Sequence, residues 1–278
     1  MQEIPTPLVS VITVCRNSGE SLLQTAQSIM SQAYRPIEYV IIDGESTDGT
    51  LSVIQQIQAD CGRHGITLQW VSEKDGGIYD AMNKGVKMAH GVWLNFMNAG
   101  DTFASTQAVT QAMEIAAQGE TDIIYGNTNL IKDFGTVTLR PVPLSNLTRK
   151  MTLCHQSTFI KAPLLHEHPY DLNYRIAADY EFFHWCYVSG KHFSQTEHTL
   201  ANFESENGKS SQNRLKMIRE CAQISGEDKT LKWKVDYTLQ AIEVGLNKCL
   251  RMIMPESLTN YIRERNYQRI KRQREARS

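Results

Sequence analysis

Several features that define common functional classes are missing from this sequence of 278 residues. It has neither a GxGxxG nor a GxxxxGK(S/T) segment, so it lacks the glycine-rich phosphate cradles of dinucleotide dehydrogenases and P-loop nucleotidases. Its six cysteines include no Cys-x-x-Cys pair, which favours reduced, mostly buried thiols over a zinc site or a disulfide framework. Binding of a nucleotide phosphate would therefore depend on residues other than a glycine-rich loop of either type.

Long apolar runs and a strong charge of one sign are also lacking. No run approaches the ~18 apolar residues that span a bilayer, and the start MQEIPTPLVSVITV has polar and proline flanks instead of a signal peptide. The 29 Lys and Arg residues nearly balance the 30 Asp and Glu residues, so the overall charge does not point to a nucleic-acid partner. We expect a soluble, cytoplasmic protein that does not bind nucleic acid.

Short apolar, β-branched runs alternate with helical-period segments over the first 125 residues, the pattern of a parallel sheet with crossover helices. Apolar spacing predicts helices near residues 22–33, 51–61 and 78–89. The five runs of buried-strand length are VSVITV from Val9, YVII from Tyr39, ITLQWV from Ile66, VWLNFM from Val92 and DIIY from Asp122. The pattern predicts an α/β fold with a doubly wound nucleotide-binding half over residues 8–125.

The remainder of the chain changes character twice. Mixed short strands, a helix near 177–189 and a strand-like stretch near 191–203 predict a second half of the same sheet over residues 126–211. Residues 212–278 are expected to form a helical C-terminal extension. One apolar stripe runs along it through Val235, Leu239, Ile242, Leu246, Leu250 and Ile253. Its last part, residues 248–278, has nine basic and three acidic residues and is a basic tail of net charge +6.

Three polar segments follow three successive predicted strands. They are VIIDGESTDGT, which contains Asp43 and Asp48, EKDGGIYDAMNKG, which contains Asp80, and WLNFMNAGDTF, which contains Asn98 and Asp101. Ligands of such sheets bind at the carboxyl ends of the strands, where these segments lie. Taken singly, each is equally compatible with a turn or a helix N-cap. Three acidic loops at three successive strand ends together favour a binding site.

These segments resemble the inverting glycosyltransferases of family 2, whose fold is the GT-A type nucleotide-sugar-binding sheet flanked by helices. The resemblance extends over about residues 8–210, and it begins with SVITVCRN, similar to the family's opening strand and loop. VIIDGESTDGT resembles the family's (V/I)DDxSxDGT segment, which implies that Asp43 contacts the uracil or ribose of the donor. DGGIYDAMNKG resembles the family stretch around a second nucleotide-contacting aspartate, here Asp80. The donor-binding residues implied are Thr13, Arg16, Asn17, Asp43, Ser46, Asp80, Asn83, Lys84, Asn98, Ala99 and Gly100.

The segment NAGD departs from the family's usual D-x-D-D. Asn98 and Gly100 replace acids, and only Asp101 keeps a carboxylate. Mg²⁺ or Mn²⁺ often needs only one or two protein carboxylates when phosphates supply further oxygens. The resemblance therefore still implies a divalent metal at Asp101, bound weakly without the donor.

RIAADYEFFHW resembles the family's E-D-Y-x-(L/F)-W segment, with Ala178 at the position of the glutamate. The match implies that Asp179 is the general base, because an attacking hydroxyl must lose its proton as the new C–O bond forms. An acid favoured by the helix dipole is the alternative. His155 and Gln156 match a segment between metal and acceptor, although a structural histidine is equally consistent. The loop ENGKSS at residues 206–211 resembles a flexible acceptor-side loop, and a simple surface loop is the alternative.

The expected function is transfer of a hexose from a nucleotide sugar, by family frequency a UDP-sugar, to an acceptor hydroxyl with inversion. The acceptor is expected to be a glycan or lipid-linked glycan of cell-surface polysaccharide biosynthesis. The basic tail suggests peripheral attachment to an anionic membrane surface on its inner face, and a solvated tail or a contact with protein is the alternative. The lost acids at positions 98, 100 and 178 leave a second interpretation open, a catalytically silent sugar-nucleotide or partner-binding protein of the same fold.

Overall fold

The computed structural model describes residues 6–132, 135–204, 213–253 and 265. Nine strands of these residues form one sheet, in the order β3-β2-β1-β4-β8-β6-β9-β5, with β7 paired to β6. The strands are β1 (Val9–Cys15), β2 (Ile37–Asp43), β3 (Thr67–Ser72), β4 (Trp93–Phe96), β5 (Thr102–Phe103), β6 (Ile123–Lys132), β7 (Gly135–Leu139), β8 (Thr158–Lys161) and β9 (Phe193–Glu204). The helices are α1 (Gly19–Met30), α2 (Thr50–Arg63), α3 (Ile78–Met88), α4 (Ala108–Ala116), α5 (Ala162–Glu167), α6 (Ala178–Val188), α7 (Arg214–Ser225) and α8 (Leu231–Ile253).

The first half of the sheet is parallel, as the alternation of strands and helices predicts. β1 pairs with β2 and β4, and β2 pairs with β3, all in parallel. β1 and β2 are buried along their whole length, which explains their nearly continuous apolar sequence. The carboxyl ends of these strands consequently lie along one edge of the sheet.

Helices cover both faces of this parallel half. Val9 and Val11 of β1 belong to one buried apolar cluster with α1, α2 and α4, whereas Ile12 and Val14 belong to a second cluster with α3, α5 and α6. This alternation follows from the two-residue period of a strand. α3 approaches the sheet closely, because a Cβ at Gly85 would overlap Ile12. Glycine at that position thus allows the second half of α3 to pack directly on β1.

The second half continues the same sheet with mixed pairing. β8 is antiparallel to β4 and β6, and β9 is parallel to β6 but antiparallel to the short strand β5. β5 follows directly after Asp101, and β9 ends at Glu204. The β5–β9 pair therefore brings the last strand of the sheet against the NAGD segment.

The predicted C-terminal extension is helical where it is described. α7 buries Glu220 and Ala222, and Cys221 and Ile224 pack on the same apolar cluster as α6. On α8 the stripe residues Val235, Leu239, Ile242 and Leu246 are each 51–60% exposed. The side chains of the stripe residues Leu250 and Ile253, the loop at 206–211 and nearly all of the basic tail lie outside the described residues. Among the described helices, none combines the length and apolar composition that crossing a bilayer requires.

Candidate active site

Asp43 ends β2 and lies beneath the loop that follows it. Its side chain is fully buried and accepts hydrogen bonds from the Ser46 main-chain N–H at 2.9 Å, from the Ser72 hydroxyl at 2.6 Å and from the Ser46 hydroxyl. Three donors fix both carboxylate oxygens and shape the loop. The predicted contact between Asp43 and the nucleoside stays a prediction, since the carboxylate is enclosed in this structure.

Ser46 joins this loop to the loop after β1. Its hydroxyl accepts a hydrogen bond from the Asn17 main-chain N–H at 2.7 Å, and the Asn17 side-chain oxygen accepts one from the Thr47 N–H at 2.9 Å. Asn17 has φ of 51°, a left-handed conformation that asparagine tolerates better than most residues. Arg16 precedes it and is exposed. Arg16, Asn17 and Ser46 are thus brought together at the open edge of the sheet.

Thr13 lies in the interior of the sheet. Its side chain is fully buried, donates a hydrogen bond to the Met97 carbonyl at 2.6 Å and accepts one from the Tyr39 hydroxyl at 3.1 Å. The side chain points into the interior of the sheet and links β1 to the end of β4. The predicted contact between Thr13 and the donor stays a prediction, and in this structure the side chain is used for these interior hydrogen bonds.

Asp80 and Lys84 lie on one side of α3, next to the Gly76–Gly77 turn. An Asp80 oxygen accepts a hydrogen bond from the Gly76 N–H at 2.8 Å, and the side chain stays 28% exposed. The Lys84 ammonium lies 2.8 Å from a Glu73 carboxylate oxygen and 3.7 Å from Asp80. The hydrogen bond to Glu73 raises the pKa of Lys84, so the amine stays charged.

Asn83 of α3 is hydrogen-bonded to the segment after α5. Its amide nitrogen donates to the Tyr170 carbonyl at 2.9 Å, and its amide oxygen accepts from the Tyr170 N–H at 3.0 Å. Both ends of the amide are thus used to hold the segment after α5 against α3. Asn83 is thus a structural link between the two halves, and its predicted contact with the donor stays a prediction.

Asp101 is the acid retained in the NAGD segment, and it is only 4% exposed. One carboxylate oxygen accepts a hydrogen bond from the Gln156 amide at 2.7 Å, and the other accepts one from the Glu204 main-chain N–H at 3.2 Å. Burial raises the pKa of Asp101 to about 6, against the opposing effect of the Gln156 hydrogen bond. Gly100 beside it has φ of 100°, and Ala99 packs partly against the core.

A chain of three side chains leads from the NAGD segment to Asp179. The Asn98 amide nitrogen lies 3.2 Å from His155 Nε2, and His155 Nδ1 lies 3.2 Å from Asp179 Oδ2. Because an amide nitrogen only donates, Nε2 accepts this bond and Nδ1 carries the proton that is donated to Asp179. The Asp101 main-chain N–H donates to the Asn98 carbonyl at 2.9 Å, which joins this chain to the Asp101–Gln156 pair. The sequence-predicted residues Asn98, Asp101, His155, Gln156 and Asp179 thus form one connected network.

Asp179 lies in the first turn of α6 and keeps one acceptor position open. Its Oδ1 atom accepts hydrogen bonds from the Tyr79 hydroxyl and the Tyr180 N–H, both at 2.9 Å. Oδ2 accepts only from His155 among the described contacts, and the side chain is 18% exposed. A carboxylate oxygen accepts two hydrogen bonds, so Oδ2 can still accept a proton or a further hydrogen bond.

Glu220 is a site residue that the sequence reasoning missed. Its buried carboxylate accepts hydrogen bonds from the main-chain N–H groups of Arg175, Ile176 and Ala177 at 3.1, 2.8 and 3.0 Å. These residues lead directly into α6, so α7 determines where Asp179 lies. A signal existed, because Glu220 occupies an apolar-stripe position of α7 together with Met217, Cys221 and Ile224.

A shallow cavity of about 310 Å³ opens beside this loop. Its lining residues are Gly77, Ile78, Arg175, Ile176, Asn213 and Lys216. Arg175 also donates a hydrogen bond to the Gly76 carbonyl, which connects the Asp80 turn to the segment before Asp179. The turn after β3, the segment before α6 and the start of α7 thus line this cavity.

The residues next to Asp101 provide oxygen ligands of the type that hard divalent cations prefer. The described residues contain no group of three or more His, Cys, Asp or Glu side chains arranged around a metal. They do contain the Asp101 carboxylate, the Glu204 carboxylate beside Gly100, and the Asn98 amide oxygen, which is buried without a hydrogen-bond partner. This set fits a cation that takes its remaining oxygens from a bound phosphate group.

Comparison with protein families and individual sequences gives a consistent result. The model of glycosyl transferase family 2 matches residues 10–168. An uncharacterized glycosyltransferase of Mycobacterium tuberculosis is 35% identical over 183 residues, which cover 63% of this chain and 67% of that protein. A PGL/p-HBAD biosynthesis glycosyltransferase of the same species is 29% identical over 204 residues, covering 73% and 78%.

Two solved structures are similar in fold. Mannosyltransferase PcManGT from Pyrobaculum calidifontis, in complex with GDP-Man and Mn²⁺, superposes with a TM-score of 0.63 over 94% of this chain and 84% of that one, at 15% identity. TarS from S. aureus, in complex with UDP-GlcNAc, gives a TM-score of 0.60 over 78% of this chain and 66% of that one, at 16% identity. At these identities the likeness concerns the fold alone.

Proposed function

Because the chain belongs to glycosyl transferase family 2 and is a glycosyltransferase, we propose that it transfers a hexose from a UDP-sugar to an acceptor hydroxyl with inversion. The observation that carries the proposal is the network from Asp101 and Asn98 through His155 to Asp179. It joins the acid expected near the donor diphosphate to the acid expected near the acceptor. Both ends of the reaction are thereby held in one hydrogen-bonded unit.

Asp179 is the proposed general base. Oδ2 has a free acceptor position, and the His155 Nδ1–H and Tyr79 hydroxyl fix the orientation of the carboxylate. In a single displacement, the acceptor hydroxyl gives its proton to Asp179 Oδ2 as its oxygen bonds to C1 of the sugar and the bond to the diphosphate breaks. Attack opposite to the leaving group inverts the configuration at C1. His155 and Gln156 hold the two carboxylates in position.

The donor is proposed to bind along the strand-end loops. The nucleoside lies near Asp43, Ser46, Asn17 and Asp80, with Arg16 and Lys84 as nearby cations. UDP is favoured by its frequency in the family, and the UDP-GlcNAc complex of TarS supports it, whereas PcManGT holds GDP-Man. A bound Mn²⁺ or Mg²⁺ at Asp101 would neutralise charge on the departing nucleoside diphosphate. The Mn²⁺ in the PcManGT complex supports a metal-dependent reaction here.

The acceptor is proposed to be a glycan or lipid-linked glycan of cell-surface biosynthesis. Similarity to a PGL/p-HBAD biosynthesis glycosyltransferase supports this class. The exposed stripe Val235, Leu239, Ile242 and Leu246 on α8, followed by the basic tail, supports peripheral attachment to an anionic membrane on its cytoplasmic face. The full chain is expected to bind anionic liposomes at low salt, and a chain ending at Pro255 is expected to lose that binding. Absence of binding by the full chain would exclude membrane attachment.

A catalytically silent sugar-nucleotide-binding protein is the second candidate. It is favoured by the acids missing at positions 98, 100 and 178 and by the burial of Asp101. Such a protein would bind a nucleotide sugar without releasing nucleotide. Retention of the bonded Asp179 and His155 pair favours the enzyme instead.

A panel of nucleotide sugars with Mn²⁺ or Mg²⁺ tests the proposal. A ligand at ~100 times its dissociation constant is expected to stabilise the native state by roughly 2.7 kcal/mol, which thermal melting detects. Donors that stabilise the protein are then assayed for nucleotide release with lipid-linked oligosaccharide acceptors. Stabilisation without release under any acceptor supports the silent protein, and release supports the transferase.

A further inference from the structure

The NAGD segment places its single acid in an enclosed position. Asp101 is 4% exposed, and each of its carboxylate oxygens already accepts a hydrogen bond from Gln156 or from the Glu204 main chain. Each oxygen keeps one free lone pair, but little of the carboxylate faces solvent. A second, more exposed acid would complete a cation site at this point.

Glu204 lies at the required place although it is 103 residues further along the chain. It is the last residue of β9, and the pairs Thr102↔Asn202 and Phe103↔Ala201 bring the end of β9 beside Asp101. Its main-chain N–H donates to Asp101 Oδ1 at 3.2 Å. The sheet therefore fixes the backbone of Glu204 relative to Asp101 independently of the Glu204 side chain.

The Glu204 carboxylate fills the space next to residue 100. Its Oε2 atom lies 3.4 Å from the position that a Cβ of Gly100 would take. Gly100 has φ of 100°, a backbone conformation that residues with a side chain rarely adopt. Position 100 is thus a backbone turn without a carboxylate, and the carboxylate beside this turn comes from β9.

The Glu204 side chain is exposed, and no ion pair joins it to a residue that the structure describes. Its Oε2 atom lies next to Gly100, which precedes Asp101 in the chain, so the negative charges of Glu204 and Asp101 repel each other. A cation bound near both carboxylates would relieve this repulsion. Asn98 Oδ1, buried without a partner, is a third oxygen at the same segment. Carboxylate and amide oxygens are the ligands of Mg²⁺ and Mn²⁺.

We propose that Glu204 supplies the solvent-facing carboxylate of the divalent-cation site, with Asp101 as its enclosed partner and Asn98 Oδ1 as a further oxygen. This inference rests on the proposed function, because the remaining oxygens come from the donor diphosphate. It assigns to the last strand a ligand that the NAGD segment lacks.

The test measures Mn²⁺ binding to the full chain by the electron paramagnetic resonance of free Mn²⁺, with saturating UDP and, separately, GDP. Glu204→Gln and Glu204→Ala remove the charge but keep the main-chain bond to Asp101. Both are expected to weaken Mn²⁺ binding roughly tenfold or more, as loss of a charged ligand does. The control is Glu197→Gln, an exposed glutamate on the same strand, and it is expected to bind Mn²⁺ like the native chain.

The outcomes separate this inference from the proposed function. If the native chain binds Mn²⁺ and both Glu204 variants bind it equally well, Glu204 is not a ligand and the transferase proposal is untouched. If the native chain binds no Mn²⁺ with either nucleotide, the cation site itself is refuted. Failure of the native chain to release nucleotide from any donor would instead refute the transferase. Melting temperatures close to native show that a variant is folded, which is expected for an exposed side chain.

Discussion

Replacement of Glu220 by alanine is expected to disconnect α7 from the loop that leads into α6. The Glu220 carboxylate is 5% exposed and accepts hydrogen bonds from three consecutive main-chain N–H groups, at residues 175, 176 and 177. Alanine leaves all three without this partner. An orphaned buried donor costs about 1–3 kcal/mol. Water can reach the exposed Arg175, so two donors lose their partner without replacement, and the expected loss in the free energy of unfolding is about 2–6 kcal/mol.

Urea denaturation followed by tryptophan fluorescence measures this loss. Glu220→Gln keeps one acceptor oxygen and is expected to lose about 1–3 kcal/mol. Glu243→Ala on α8 is the control, because this exposed glutamate is expected to change the free energy of unfolding by only about 0.5 kcal/mol. If Glu220→Ala unfolds at the same urea concentration as the native chain, the described docking of α7 is wrong.

The same variant has a catalytic consequence. Asp179 lies two residues after Ala177, the last residue of the loop that Glu220 holds. A displaced loop therefore moves the proposed base away from the acceptor. Where Glu220→Ala remains folded, kcat is expected to fall more than donor affinity, because the loop leads directly into α6 and contacts the Asp80 turn through the Arg175–Gly76 hydrogen bond. Equal losses of kcat and of donor affinity would show that the substitution disturbs the whole site and not only the proposed base.

Three further predictions follow from individual carboxylates. Asp179→Asn is expected to abolish transfer with donor affinity nearly intact, and equal losses of both in steady-state kinetics and calorimetry would contradict its role as base. Asp101→Ala is expected to weaken metal-dependent donor binding, and full activity in the presence of a chelator would refute the metal requirement. Burial opposes ionisation of Glu38, but hydrogen bonds from the His90 N–H, the Ser10 hydroxyl and the His90 ring lower its pKa overall. The ionised Glu38 therefore stabilises the protein above the unfolded-state pKa of about 4.3, and this contribution is lost as the pH falls. Glu38→Gln is expected to destabilise the protein at pH 7 and much less near pH 3, as measured by urea titrations at the two pH values.

The parallel half of the fold could be predicted because its signals are local. β1 and β2 are buried on both faces and read as continuous apolar runs, and the predicted strand from Val9 extends by only one residue in the structure, to Cys15. The strand-like stretch near 191–203 is confirmed as β9, and the helix near 177–189 as α6. β5 was not predicted, because a strand of two residues is too short to show an alternating apolar pattern. α4 was also missed, although Ala108, Val109, Ala112 and Met113 recur at helical spacing.

The site could be predicted only as far as its loops. The strand-end positions of Asp43, Asp80 and Asp101 follow from the order of the elements. The direction of each side chain does not follow from that order, because it depends on partners far away in the sequence. Thr13 donates a hydrogen bond to the Met97 carbonyl, and Asn83 donates one to the Tyr170 carbonyl. The contacts of Glu204 and Glu220 join segments 103 and 43–45 residues apart, and no local pattern encodes such pairing.

The position of β9 determines when during synthesis the cleft is completed. A polypeptide leaving the ribosome presents β1 to β4 and their loops first, and these can begin to fold while later residues are still being added. The strand that bonds Asp101 at Glu204 and the helix that bonds the Asp179 loop at Glu220 emerge only after them. A nascent chain that has not yet reached β9 and α7 therefore has the strand-end loops without the contacts that hold Asp101 and the Asp179 loop in place.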